Sequence, residues 1–496
     1  MGIDFSRLFQ INHIRSKLVP ILKHIDNRRT YGEHLTPVQI FERYILPEIH
    51  GKLHEYIWVD LFAGAGNLVL PILEHIPQDE RVEFFEKHIY LFDIQSELVD
   101  LAIENAVSYG IPQDIAKHHI LQWDTIRNYP IFLLKLGLPI FHITNPPYLY
   151  LGYIAKHPET QQYLEFFQGE NEGYQDLYQL ALKNDLKNGL QDLIYIIPSN
   201  FIFGFAVSNK IREDFLKYYV IKKAIIFEKE IFEFTGTNVA ICFFEKKVEP
   251  KQEVLTFEGI KINKDEHKRV YTLDPKTHYR AGGDFDEFTN EYHARKPLKI
   301  KYYLTMEEVE KNRGDFAIEV IDANRFNGKS YEKMTIYVNE KLYNKIISNI
   351  LFVRTVDTGS MEGRAGLYKI RDVFGVDGIL VTKDTHRMHP IQVFINKEIT
   401  SEVQILLKDY FNMILEYFRE LTDSEFMTTY QYSKSKYTRK YLGLLQVRKL
   451  ISTFPICDLN GKDMKYFEKL IKDGVAEDLI KFINERNGRT EWKLGY

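Results

Sequence analysis

A chain of 496 residues, 45% hydrophobic and 27% charged, has the balance of a soluble globular protein of two or three domains, each large enough to bury a core. Two separated cysteines, Cys242 and Cys457, outside any C-x-x-C or His/Cys cluster, exclude a disulfide framework and a zinc site and fit a reducing cytoplasm, while the lack of an 18-residue apolar run or a basic-then-apolar start excludes membrane insertion. The net charge of −4 does not mark a nucleic-acid binder, but it is unevenly shared: residues 1–250 hold 24 basic and 32 acidic side chains, against 41 and 37 in 251–496, so the second half is the one suited to meet phosphates.

Leu18, Ile21, Leu22 and Ile25 recur at helical spacing and predict an amphipathic helix within an N-terminal segment, residues 1–30. From Tyr56 to about Lys247, short apolar runs (YIWVDLF, IYLFDI, LPIFHIT, LIYIIP, KKAIIF, NVAICFF) alternate with helical patterns such as SELVDLAIENAVSY and NEGYQDLYQLALKNDL. That alternation predicts an α/β domain, a mainly parallel sheet with helices on both faces, whose ligands bind beyond the carboxyl ends of the strands. The polar stretch Pro250-Lys251-Gln252-Glu253 marks a predicted boundary between this domain, 31–249, and a second mixed α/β domain, 250–496. The second domain is expected to hold a long amphipathic helix from Ser401 to Leu421 and a final helix from about Asp463 to Asn487.

Chemistry gathers at the predicted strand ends. Val59-Asp60-Leu61-Phe62-Ala63-Gly64-Ala65-Gly66-Asn67 follows a strand and opens a helix; its glycines permit a tight turn and close approach of a ligand. It is shorter than a G-x-G-x-x-G dinucleotide loop. Asp93 ends the next run, Leu91-Phe92-Asp93-Ile94, where an acid can accept both hydroxyls of a ribose, and Asp124 ends a third. One such Asp is commonly a helix cap; three at successive strand ends point to a ligand.

The strand Phe141-His142-Ile143-Thr144 runs into Asn145-Pro146-Pro147-Tyr148. Adjacent prolines continue neither a ladder nor a helix, so they set a stiff loop that can aim the Asn145 side-chain oxygen and the Pro146 carbonyl at one point. Two such acceptors suit an amine whose two hydrogens must be held.

With this motif order the chain resembles the gamma-class N6-adenine DNA methyltransferases of type II restriction-modification systems, over about residues 30 to 247. The resemblance implies a Rossmann-like sheet that binds S-adenosylmethionine, no metal, and a C-terminal target-recognition domain. It matches His34-Leu35-Thr36-Pro37 to the first cofactor motif, with Thr36 at the methionine end. Asp60, Gly64 and Gly66 match the glycine loop, Asp93 and Ile94 the ribose site, and Asp124 the acid near the cofactor's adenine amine; Asn145 and Pro147 also border that site. Tyr174-Gln175-Asp176-Leu177-Tyr178 resembles the next helix of the family.

By the same likeness, Asn145, Pro146, Pro147 and Tyr148 form the catalytic loop, Tyr148 stacks on a flipped adenine, and Phe232 or its neighbour Phe234 covers the other face. The implied partners are double-stranded DNA and a restriction endonuclease encoded separately, in a bacterial or archaeal cytoplasm. Methyltransferases for RNA adenine and protein glutamine share the loop but seldom carry some 250 further residues; a catalytically silent DNA-binding homologue would lack reason to keep Asp60, Asp93, Asn145 and Tyr148. Modification subunits of multi-subunit systems usually place a helical domain before the cofactor loop, whereas about 55 residues precede it here, the expectation for a self-sufficient enzyme.

For DNA contact the sequence offers Lys434, Lys436, Arg439 and Lys440, interleaved with Tyr432, Tyr437 and Tyr441, as phosphate-binding groups; Arg448 and Lys449 beyond them read as a solvated helix face. Arg364, in the glycine-rich stretch Gly359 to Gly366, is a candidate guanine reader.

Overall fold

The computed structural model describes residues 36–228, 238–263, 265–357, 363–383, 389–429 and 440–486. The predicted N-terminal helix, Phe232, Phe234, Lys434, Lys436 and Arg439 lie outside the described residues.

The apolar runs become a nine-stranded sheet in the order β3-β2-β1-β4-β5-β7-β6-β8-β9. Its strands are β1 (Ile57–Asp60), β2 (Ile89–Asp93), β3 (Ile120–Gln122), β4 (Ile140–Thr144), β5 (Asp192–Pro198), β6 (Tyr219–Phe227), β7 (Val239–Lys246), β8 (Leu255–Ile262) and β9 (Glu266–Leu273). β1 to β5 are parallel, β7 inserts antiparallel between β5 and β6, and β8 runs parallel to β6.

Successive side chains of a strand point to opposite faces, and here both faces are buried. Ile57 and Val59 join Ile140, Tyr195, Ala224 and Phe244 in one core; Trp58 joins Leu91, Ile143, Ile196, Ile225 and Phe243 in the other. That double burial explains runs that are continuously apolar rather than alternating. Helices α1 (Arg81–His88) and α2 (Ser96–Ser108) and helix α3 (Leu177–Asn188) feed these two cores.

The sheet does not end at residue 250, where the sequence suggested a boundary. The polar stretch there is a turn, in which Lys247 and Lys251 both pair with Glu253, and the chain goes straight back into β8 and β9. Charge at that point reflects an exposed connection inside one sheet.

The remaining chain forms smaller mixed sheets. One has four strands, 300–302, 391–395, 351–354 and 366–369; a second has 304–305, 378–381, 316–326 and 331–338. The predicted long helix appears as α4 (Ser401–Thr422), capped at its start by the Thr400 hydroxyl. The predicted final helix is two, Gly461–Asp473 and Ala476–Arg486, separated at Gly474, whose φ of +74° ends the first.

Buried charge joins these sheets to the first. The Arg280 guanidinium donates to the Phe203 and Phe426 carbonyl oxygens, at 2.8 and 2.5 Å, and pairs with Asp286. Lys261 on β8 meets Glu228, Asp423 and Glu425.

Candidate functional site

Three loops leave the carboxyl ends of β1, β2 and β4 side by side. The turn after β1 needs left-handed backbone at Gly64 (φ +51°) and Gly66 (φ +80°); a Cβ on Gly66 would also lie 2.5 Å from Leu70 Cδ1. Asp60 at the strand end is buried, and its Oδ1 accepts from the Thr144 hydroxyl at 2.6 Å and the Phe62 N–H at 2.9 Å. Burial pushes its carboxyl up to about 6, against those hydrogen bonds.

Asp93 closes β2. Its Oδ2 accepts the Gly64 N–H at 2.8 Å and its Oδ1 the Gln95 N–H at 3.0 Å, so the acid and the glycine turn hold each other in register. Burial raises the Asp93 carboxyl above the usual range, opposed by the same backbone donors. Asp124, after β3, accepts the Arg127 N–H at 3.1 Å and faces that guanidinium at 3.4 Å.

The proline loop follows β4. Asn145 Nδ2 donates to the Thr36 hydroxyl at 3.0 Å, and Asn145 Oδ1 and the Ile196 carbonyl, the latter at 2.7 Å, share the single proton of the Tyr148 hydroxyl. The Tyr148 ring meets Tyr178 edge-on, with 6.5 Å between centroids. Just beyond, the Leu149 N–H donates to Asp176 Oδ1 at 2.8 Å; burial pushes the Asp176 carboxyl up to about 7.

These loops border a cavity of about 360 Å³, within the range of small-molecule sites. Of the residues expected from the sequence, Gly64, Asp93, Ile94, Asp124, Asn145 and Pro147 line it. Thr36, Asp60, Gly66, Pro146 and Tyr148 do not: Asp60 is turned to Thr144, Gly66 packs on Leu70, and the Tyr148 hydroxyl is turned to Ile196. Thr36 is held behind the wall, its carbonyl accepting from Asn67 Nδ2 at 2.9 Å and its hydroxyl from Asn145.

The sequence reasoning missed one side of the cavity. Gln162, Tyr163 and Phe166, from the 3-10 stretch Pro158–Phe167, complete the lining together with Trp123 and Arg127. Arg127 lies over the Phe166 ring, 4.8 Å from its centroid, and pairs with Glu165. The aromatic spacing in QQYLEFF was the available signal.

The two described candidates for DNA contact are engaged within the protein. Arg364 pairs with Glu416 on α4, and Lys440 lies 3.3 Å from Glu228 and 2.9 Å from the Asp423 carbonyl. Among the described residues no group of three or more His, Cys, Asp and Glu side chains is placed to hold a metal ion, and no helix is long and apolar enough to cross a membrane.

A mostly parallel sheet with one antiparallel inserted strand, and a cavity at its carboxyl edge between an acid-bearing glycine turn and a proline loop, define a protein of the Rossmann-like methyltransferase fold. The chain belongs to the N-6 DNA Methylase family, whose model matches residues 21–336. Comparison with curated protein sequences gives no significant match.

Among solved structures, a modification subunit from Vibrio vulnificus YJ016 is 16% identical, with 73% of this chain and 62% of that one covered and a TM-score of 0.35. The type I restriction-modification system methyltransferase subunit from Streptococcus thermophilus is 16% identical over 47% of this chain and 48% of its own, at 0.31. The type IIL restriction-modification enzyme MmeI, in complex with DNA, is 11% identical over 92% and 73%, at 0.49. This chain thus spans less than two thirds of the length of either subunit.

Proposed function

We propose that this protein transfers a methyl group from S-adenosylmethionine to the exocyclic amine of an adenine swung out of duplex DNA, as the modification enzyme of a restriction-modification system. The observation that carries the proposal is the shared cavity: Asp93 and the Asn145-Pro147 corner border one space, so a ribose held by the first sits beside an amine held by the second.

The donor set fits the cofactor. Each Asp93 oxygen accepts one backbone N–H and keeps a lone pair for a ribose hydroxyl, Asp124 supplies an acceptor for an adenine amine, and Ile94, Leu98 and Phe166 offer apolar faces for its ring. Bound there, the cofactor supplies a methyl group on a positively charged sulfur, ready for in-line transfer.

The protein's own work is at the acceptor. Adenine N6 is a weak nucleophile because its lone pair is spread into the ring; Asn145 Oδ1 on the cavity wall takes one N6 hydrogen, and the Pro146 carbonyl, which lies outside that wall and must turn toward the amine, takes the other, so that a pyramidal amine is favoured and the pair returns to the nitrogen. Positioning supplies much of the rate.

Extruding the base costs a few kcal/mol, which aromatic stacking worth about 1–3 kcal/mol offsets. Tyr148 and Phe232 are the proposed stacking pair. Since the Tyr148 ring does not line the cavity, stacking requires it to turn and release the Ile196 carbonyl and Asn145 Oδ1, which share its one proton, at a cost of about 1 kcal/mol. The second half of the chain, with its basic balance, is proposed to read the DNA site, and a separately encoded endonuclease is the proposed partner enzyme.

The test is transfer of labelled methyl from S-adenosylmethionine into duplex DNA by the purified chain, followed by identification of the modified base. N6-methyladenine is expected. Label found instead in RNA or in protein glutamine, or no label at all, overturns the proposal.

A further inference from the structure

We infer that His142 and Asp185 are positioning residues for the cofactor loop, an assignment that rests on the cofactor reading above. Both side chains are fully buried. His142 Nε2 lies 3.2 Å from the Leu61 N–H and so must accept from it, which places the ring proton on Nδ1, 2.6 Å from Asp185 Oδ2. Asp185 in turn accepts from the Tyr195 hydroxyl and, at 3.3 Å, from Tyr129, so both hydroxyls depend on it.

Leu61 lies in the cavity wall, one residue past the end of β1. Its carbonyl is also held by a side chain, the Thr125 hydroxyl at 2.9 Å. Both backbone groups of this residue are therefore fixed by side chains, where a strand residue is ordinarily fixed by its ladder.

His142 and Thr144 project from the same face of β4, and Thr144 holds Asp60. One strand thus grips the cofactor turn at Asp60 and Leu61 and then delivers Asn145 at its own end. The grip sets the separation between the cofactor turn and the amine-binding corner. A buried polar pair is a costly way to fill a core, because an apolar pair of similar volume is often as stable or more so; the arrangement gains meaning from the hydrogen bond that His142 accepts from Leu61.

That comparison supplies the test. S-adenosylhomocysteine affinity and the urea midpoint are measured for the full-length wild type, His142→Gln, which keeps an acceptor at the Nε2 position, and the double variant His142→Leu/Asp185→Leu. The double variant, which leaves the Leu61 N–H and the buried Tyr195 hydroxyl without their acceptors, is expected to fold with a lowered urea midpoint and to bind at least tenfold more weakly, with fast hydrogen exchange at the Leu61 amide in the free protein. His142→Gln should bind within about threefold of wild type.

Wild-type affinity in the double variant, or equal weakening in His142→Gln, overturns the inference. Should the double variant not fold, His142→Asn, whose acceptor falls one carbon short, replaces it: tenfold weaker binding than His142→Gln supports the assignment, and equal binding overturns it. A wild type that binds no S-adenosylhomocysteine defeats the cofactor reading and this inference together; a wild type that binds, with variants that bind alike, defeats the inference alone.

Discussion

Replacing Asp93 with Asn tests the cofactor site at its most specified point. In the protein each carboxylate oxygen takes one backbone N–H, from Gly64 and Gln95, and the same two oxygens are the proposed acceptors for two ribose hydroxyls. The amide keeps one acceptor oxygen and turns the other into a donor, so one hydrogen bond to a charged group is lost, worth about 1.5–3 kcal/mol. At 1.4 kcal/mol per tenfold, S-adenosylhomocysteine should bind about 10- to 150-fold more weakly.

The folded state should suffer less. The amide orients to keep one backbone donor, and burial already disfavours the charge it replaces, so a stability loss of about 1 kcal/mol is expected. Calorimetric titration of wild type and Asp93→Asn reads the affinity, DNA binding by each serves as control, and urea unfolding reads the stability. Cofactor affinity within twofold of wild type in a folded variant would refute the assignment of Asp93, and parallel loss of DNA binding would show that the substitution acts on the whole fold.

Tyr148→Ala removes a stacking face but no residue of the cavity wall, so kcat/KM for DNA should fall about 5- to 150-fold while S-adenosylhomocysteine binds within twofold of wild type; steady-state methyl transfer and titration separate the two. Gly66→Ala forces a side chain onto backbone with φ +80° and against Leu70, so thermal unfolding should show a loss of about 1–3 kcal/mol together with weaker cofactor binding. Asp176, pushed up to about 7 by burial, holds its proton more tightly in the folded than in the unfolded chain, so its contribution to stability falls as pH rises from about 4 through about 7. Asp176→Asn should therefore gain on wild type by about 1–3 kcal/mol between pH ~5 and pH ~8 in urea midpoints; a gap that does not change with pH contradicts it.

The sheet was legible because each strand is buried on both faces, which leaves continuous apolar runs bounded by polar turns. Asp93 and the Asn145 corner were legible as positions beside one cavity because acids recurring at three successive strand ends exceed what helix capping needs, and paired prolines continue neither strand nor helix. The side lined by Tyr163 and Phe166 was harder to read: they sit on a 3-10 stretch, where an i, i+3 spacing puts two rings on one face without saying which cavity that face borders. The ion pairs of Arg364 and Lys440 were equally hidden, because their partners Glu416 and Glu228 lie 52 and 212 positions away and a basic residue carries no sign of which acid it will meet. Asp60 was legible as important but not in its orientation, which depends on Thr144 from a neighbouring strand.

The two strands beyond residue 250 bear on how this protein can be cut. A fragment stopped at that turn would strip β8 from β6 and lay bare a row of amide and carbonyl groups along Lys223–Phe227, a template for other chains to add to and aggregate. Carrying the fragment past Leu273 keeps that row paired and leaves β9 outermost, where exposed Glu266, His267 and Lys268 repel such additions.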